Sequence, residues 1–95
     1  MDGRKVDEVA AKHLGRNLFR ARRRAGYSQD ELATLCSLHR TEIGHVENGR
    51  RLPRVDTLLK LASALAVPVE ELIQGIEWAP PAPTPCGSFL VASPG

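Results

Sequence analysis

"SLHRTEIGHVENGR", residues 37–50, carries only three apolar side chains, Leu38, Ile43 and Val46. Ile43 and Val46 lie three apart, the spacing of one helix face. Asn48-Gly49 follows, and both residues tolerate the left-handed conformation that closes a helix. The stretch therefore reads as a short helix, about His39 to Glu47. Ile43, Val46 and Glu47 point into a bundle, and Arg40, Thr41, Gly44 and His45 point out, so the outer face offers hydrogen-bonding groups to a partner.

Upstream, Ser28-Gln-Asp-Glu31 fits a capping box, in which the Ser28 hydroxyl accepts from the Glu31 amide and Glu31 reaches back to the Ser28 amide. Tyr27 and Leu32 are spaced for a hydrophobic staple across that start. This helix runs to about Cys36, with Leu32, Leu35 and Cys36 inward and small Ala33 allowing a close neighbour. Only Ser37-Leu38 separates it from the next helix. A longer first helix, about Val6 to Ala25, ends at Gly26, and Leu14, Leu18, Ala21 and Ala25 share one stripe. Arg20, Arg23 and Arg24 cluster opposite. Arg22 lies at the edge of the apolar stripe, a partly buried cation in need of an acid.

Downstream, "RRLPR" is a basic loop. A fourth helix, about Val55 to Ala66, buries Leu58, Leu61, Ala62 and Leu65. Pro68 opens a short fifth, Val69 to Gln74, with Glu70 and Glu71 suited to its dipole, and Gly75 stops it. Five helices joined by short turns give an all-α bundle. After Gly75 the composition changes. Pro80, Pro81, Pro83, Pro85 and Pro94 fall in the last twenty of 95 residues, and "APPAPTP" is an extended polyproline-like spacer. Ile76 and Trp78 alternate with Glu77, and Phe89-Leu90-Val91 has strand character. Two outcomes follow for residues 76–95: a frayed tail, or short β segments that pair within one chain or across two. Residues 1–75 form the domain itself, with its core in 13–75.

The net charge of +2 is too small to imply nucleic acid, but its placement is uneven. Residues 1–26 hold eight Lys/Arg against three acids, and residues 27–75 hold five against seven. A positive end can attract phosphates, although a solvated helix face explains it equally well. With four aromatic residues, Phe19, Tyr27, Trp78 and Phe89, the core must be aliphatic. There is no apolar run of membrane-spanning length and no signal-peptide pattern. Cys36 reads as a small core residue and Cys86 as part of the tail, both free thiols in a reducing cytoplasm. His13, His39 and His45 have no metal-ligand spacing, and no nucleophile–base pair or phosphate-cradling glycine loop appears. Neither an enzyme nor a cofactor is expected.

Two short helices joined by a tight turn, the second polar on one face, describe a helix-turn-helix. The major groove of B-DNA is about 12 Å wide and admits one α-helix. Arg40 can donate two hydrogen bonds to guanine O6 and N7, Thr41 offers a hydroxyl and a methyl, and His45 offers a ring nitrogen one turn on. Gly44 has no side chain to hold the helix away from the groove.

"SQDELA", "RTEIGHVENGR" and "PRVDTLLKLASALAVPVEEL" together resemble the Xre-type helix-turn-helix family of phage repressors and Cro proteins, over about residues 13–75. The resemblance implies a five-helix repressor-like bundle that binds operator DNA as a symmetric dimer. It gives Arg40, Thr41 and His45 the base edges, and Gln29 a phosphate at the start of helix two. Asn48, Arg50 and Arg51 match the segment that grips the backbone, with Arg54 a weaker candidate for the same task. It also pairs Arg22 with Glu47, which the helix wheel independently turns inward. Two positions depart from the family pattern. Ser37 stands where a turn glycine is common, implying a looser turn. His39 replaces the Ser or Thr cap and becomes a candidate phosphate contact.

The function expected is a sequence-specific transcriptional regulator, a repressor acting as a homodimer on double-stranded DNA in the cytoplasm. The alternative is an antitoxin-type module whose tail binds a partner protein and whose DNA binding is secondary.

Overall fold

The computed structural model describes residues 3–79 and 87–92. It places five helices in order: α1 Gly3–Ala25, α2 Gln29–Cys36, α3 Arg40–Glu47, α4 Val55–Leu65 and α5 Val69–Ile73. A two-stranded antiparallel sheet follows, β1 Ile76–Ala79 and β2 Ser88–Val91. No helix among the described residues is long and apolar enough to cross a membrane. The Pro-rich spacer beyond Ala79, Cys86 and Pro94 lie outside the described residues.

Each helix contributes one wholly buried aliphatic side chain: Leu18, Leu32, Ile43, Leu61 and Leu72. Burial of such a group stabilises by about 1.5–3 kcal/mol relative to leaving it in water. No aromatic ring enters this centre. Tyr27 packs at its margin, as do Leu38, Leu52 and Leu58. The aliphatic core read from composition is therefore present.

The capping box at α2 is complete, with Ser28 Oγ accepting from the Glu31 amide at 3.0 Å and Glu31 Oε1 accepting from the Ser28 amide at 2.8 Å. The turn into α3 is tight, contrary to the looser one expected. Ser37 occupies the left-handed region at φ 55°, ψ 43°, its amide donates to the Thr34 carbonyl, and the Leu38 amide donates to the Ala33 carbonyl at 2.9 Å. A serine here accepts the left-handed conformation that glycine adopts without cost.

Three boundary and burial expectations need correction. α1 begins at Gly3, not Val6. Leu35 is 55% exposed, because the buried side of α2 centres on Leu32, Ala33 and Cys36 and leaves Leu35 about 100° away. Ala25, the last residue of α1, is exposed where the chain turns at Gly26 (φ 83°).

The tail folds back on its own chain. Ile76 pairs with Val91, Glu77 with Leu90, Trp78 with Phe89 and Ala79 with Ser88. Side chains opposite one another share a face, so Trp78 and Phe89 meet edge to face, centroids 5.3 Å apart. Ile76 packs against the helical core, and the Ala92 amide donates to the Gly75 carbonyl at 2.8 Å. The hairpin also contacts α1. Its base is fixed by two residues that the sequence reading did not assign. Asn17 Nδ2 donates to the carbonyls of Leu72 and Gln74, and His13 Nε2 lies 2.9 Å from the Gln74 carbonyl. Both satisfy the open end of α5, where helix carbonyls lack partners.

Candidate nucleic-acid interface

α3 is held from behind. Ile43 is wholly buried and Val46 is 4% exposed, and the Glu47 carboxylate turns inward with them. α1 approaches α3 closely through Gly15: a Cβ there would stand 2.4 Å from the Val46 carbonyl oxygen and 2.6 Å from that of Glu47. Only a residue without a side chain allows this approach.

Behind α3, Glu47 is the centre of a polar network. Arg22 Nε donates to Glu47 Oε2 at 2.5 Å and Arg22 NH2 to Oε1 at 3.1 Å. Arg22 NH1 donates to the Tyr27 carbonyl at 2.8 Å, tying the α1–α2 turn to the same group. Gln29 Nε2 completes the set, donating to Glu47 Oε1 at 3.0 Å. The Arg22 and Glu47 side chains are 9% and 4% exposed, so the ion pair read from the helix wheel and the family pattern is present and buried.

The outward side of α3 carries the four residues proposed to read DNA. Arg40 and Thr41 are exposed, and His45 is half-buried. At Gly44 an added Cβ would meet nothing within 4 Å, so the surface there is open. Arg40 Nε lies 3.6 Å from Asp30 Oδ1, with both side chains well exposed. Such surface pairs contribute about 0–1 kcal/mol, so a guanine edge could displace Asp30. Sequence reading did not find this pairing, and nothing in the local pattern marks it, since the two residues lie on different helices.

The residues expected at phosphates surround this face. His39 is the N-cap of α3 and makes no side-chain capping bond, which leaves its exposed ring available. Asn48 is exposed at the C-cap, its amide donating to the Gly44 carbonyl, and Arg50 and Arg51 are exposed in the loop that follows. Arg54 is exposed and lies 3.4 Å from Asp56. Gln29 is half-buried, and its bond to Glu47 occupies one of two amide protons. An open cleft of about 650 Å³ separates the end of α1 from the start of α2 and is lined by Arg22, Arg23, Gln29, Asp30 and Arg40.

A helix anchored on one side and open on the other, seated behind a tight turn, defines the helix-turn-helix class. The sequence matches the helix-turn-helix family over residues 18–72, and the chain belongs to that family. It is 39% identical over 62 residues to the HTH-type transcriptional regulator y4dJ of Sinorhizobium fredii, covering 65% of this chain and 80% of that one. Control protein C.SmaI of Serratia marcescens is 39% identical over 66 residues, covering 67% of this chain and 79% of the relative. Among solved structures, the restriction-modification controller protein C.AhdI of Aeromonas hydrophila superposes with a TM-score of 0.65 at 38% identity, covering 67% of this chain and 97% of that one. This chain is a DNA-binding regulator of the Xre-like branch, as the sequence motifs implied.

Proposed function

We propose that the protein is a sequence-specific repressor that binds a near-palindromic operator as a homodimer. Its work is binding rather than catalysis, and it acts in the cytoplasm. Two copies of α3 would enter successive major grooves about 34 Å apart and occlude the promoter. Arg40, Thr41 and His45 read base edges, with Gly44 allowing close approach. Gln29, His39, Asn48, Arg50, Arg51 and Arg54 engage phosphates, supplying salt-sensitive affinity without sequence preference. The observation that carries this reading is the contrast across α3: Ile43, Val46 and Glu47 are locked into the bundle while Arg40 and Thr41 stand in solvent. Similarity to a transcriptional regulator and to control proteins supports transcriptional control as the output. An antitoxin role is not favoured, since the relatives are regulators and the tail strands pair with each other.

The test is a binding series on a duplex selected from random sequence and on random duplex. Arg40→Ala should remove about 1–3 kcal/mol of discrimination while leaving weak general binding. Arg50→Ala should weaken both duplexes alike. An Arg40→Ala protein that kept the wild-type ratio of specific to random affinity would overturn the assignment of base reading to α3.

A further inference from the structure

We propose that α1 carries a second DNA-binding track, in which Lys12, Arg16 and Arg23 grip the phosphate backbone beyond the half-site read by α3. The inference rests on α3 entering the major groove, and adds a surface that the helix-turn-helix unit does not include. Its starting point is the excess of positive charge in residues 1–26. Part of that charge is occupied inside the fold, Arg22 by Glu47 and Arg24 by Glu71. Lys12, Arg16 and Arg23 are exposed, and none of the three pairs with a carboxylate among the described residues. At about 100° per residue they fall, together with Phe19, within a stripe about 60° wide. Glu8, exposed one turn before Lys12, marks the acidic end of that side.

Two contacts place the stripe beside the recognition surface. A Cβ on Gly49 would stand 2.7 Å from Lys12 Cγ and 2.8 Å from its Cα, so the lysine stem lies on the loop between Asn48 and Arg50. At the other end, Arg23 lines the cleft that it shares with Gln29 and Arg40. The stripe is therefore bordered at both ends by residues assigned to the DNA face. From Lys12 to Arg23 it extends about 16 Å, enough to meet the backbone at more than one phosphate. Phe19 gives it order: the Arg22 and Arg23 guanidinium carbons lie 5.4 and 5.7 Å from the ring centroid. Its half-exposed ring holds Arg23 along the helix by a cation–π contact. A row of unpaired cations without hydrogen-bond acceptors suits a polyanionic backbone and reads no bases, so its ligand is duplex DNA flanking the operator.

The test compares the full-length chain with a Lys12→Gln/Arg16→Gln/Arg23→Gln variant by fluorescence anisotropy over a range of salt. The selected site is placed in a duplex of about 20 base pairs, which holds the two half-sites, and in one about twice as long. The variant should bind the short duplex as wild type does, and bind the long one about fivefold more weakly. Its log K against log salt slope on the long duplex should fall by about 2–3, near 0.9 per lost phosphate contact. The variant-to-wild-type ratio cancels the extra non-specific sites on the longer DNA. Equal losses on both duplexes, or no loss on either, would overturn the proposal. If the triple variant melts below wild type, Arg16→Gln alone decides, with an expected slope change of about 0.9 on the long duplex only. The Arg40→Ala experiment reads sequence preference instead of length dependence, so the two readings fail separately.

Discussion

Glu47 shows how one carboxylate organises a binding surface that it does not touch. It accepts from Arg22 and Gln29, and through Arg22 it is tied to the Tyr27 carbonyl. These bonds join the end of α1, the start of α2 and the end of α3. Removing the carboxylate would leave the Arg22 guanidinium buried without a counter-charge, at a cost of about 3–5 kcal/mol. Glu47→Ala should therefore lower unfolding free energy by about that amount in urea titration. A loss below about 1 kcal/mol, the range of exposed pairs, would show that the pair is not desolvated. Arg22 was marked in the sequence as a cation on the margin of an apolar stripe, and Glu47 as an acid on the inner side of α3. The third member, Gln29, was read only as a phosphate contact, since its hydrogen bond to Glu47 depends on how α2 crosses α3.

Among the elements, α2 has the most complete local instructions. Ser28 and Glu31 form the capping box from four consecutive residues, and both bonds are present. Its charge has a pH consequence. The bonds to the Ser28 backbone and side chain hold the Glu31 carboxyl below its ordinary value of 4.5. A carboxylate depressed in the folded state contributes stability above its unfolded pKa and loses it as pH falls through the folded one. Acidification from neutral pH to below 4.5 should thus cost wild type more stability than Glu31→Gln, which does not titrate. Thermal melts of the two proteins across that window check the sign, and a Glu31→Gln protein with the same pH dependence would show that the carboxylate contributes nothing. α2 also shows where element-level reading fails. Leu35 looked inward by spacing, yet it is exposed because α1, α3 and α4 meet the helix on the side of Ala33 and Cys36.

Across the whole molecule, the core closes around aliphatic groups from all five helices, and Cys36 sits within it at 4% exposure. Burial pushes its thiol above the ordinary value of 9.0, against a smaller opposing pull from Lys60, and Cys36 Sγ donates to the Lys60 carbonyl. The thiolate is the nucleophile, so native Cys36 should resist alkylation at neutral pH and react only as the bundle opens. In a Cys86→Ser background, the labelling rate should follow global unfolding as urea rises. Rapid labelling without denaturant would show that the α2–α4 contact opens locally.

The helical bundle, its turns and the recognition face were legible in the sequence for a physical reason. Helix periodicity, caps and short turns are interactions among residues within a few positions of one another, and their chemistry is written consecutively. Gly44 could be read as an open position on the outer face without coordinates. The hairpin was left between two outcomes because strand pairing joins Ile76 to Val91 across a proline spacer, and no local pattern reveals that partner. His13 and Asn17 were silent for the same reason: their bonds to the end of α5 span more than fifty residues. Contacts of that range exist only after the bundle has brought distant segments together. Local chemistry defined which helices form and which faces they expose, and the packing of those helices set which polar groups meet behind them.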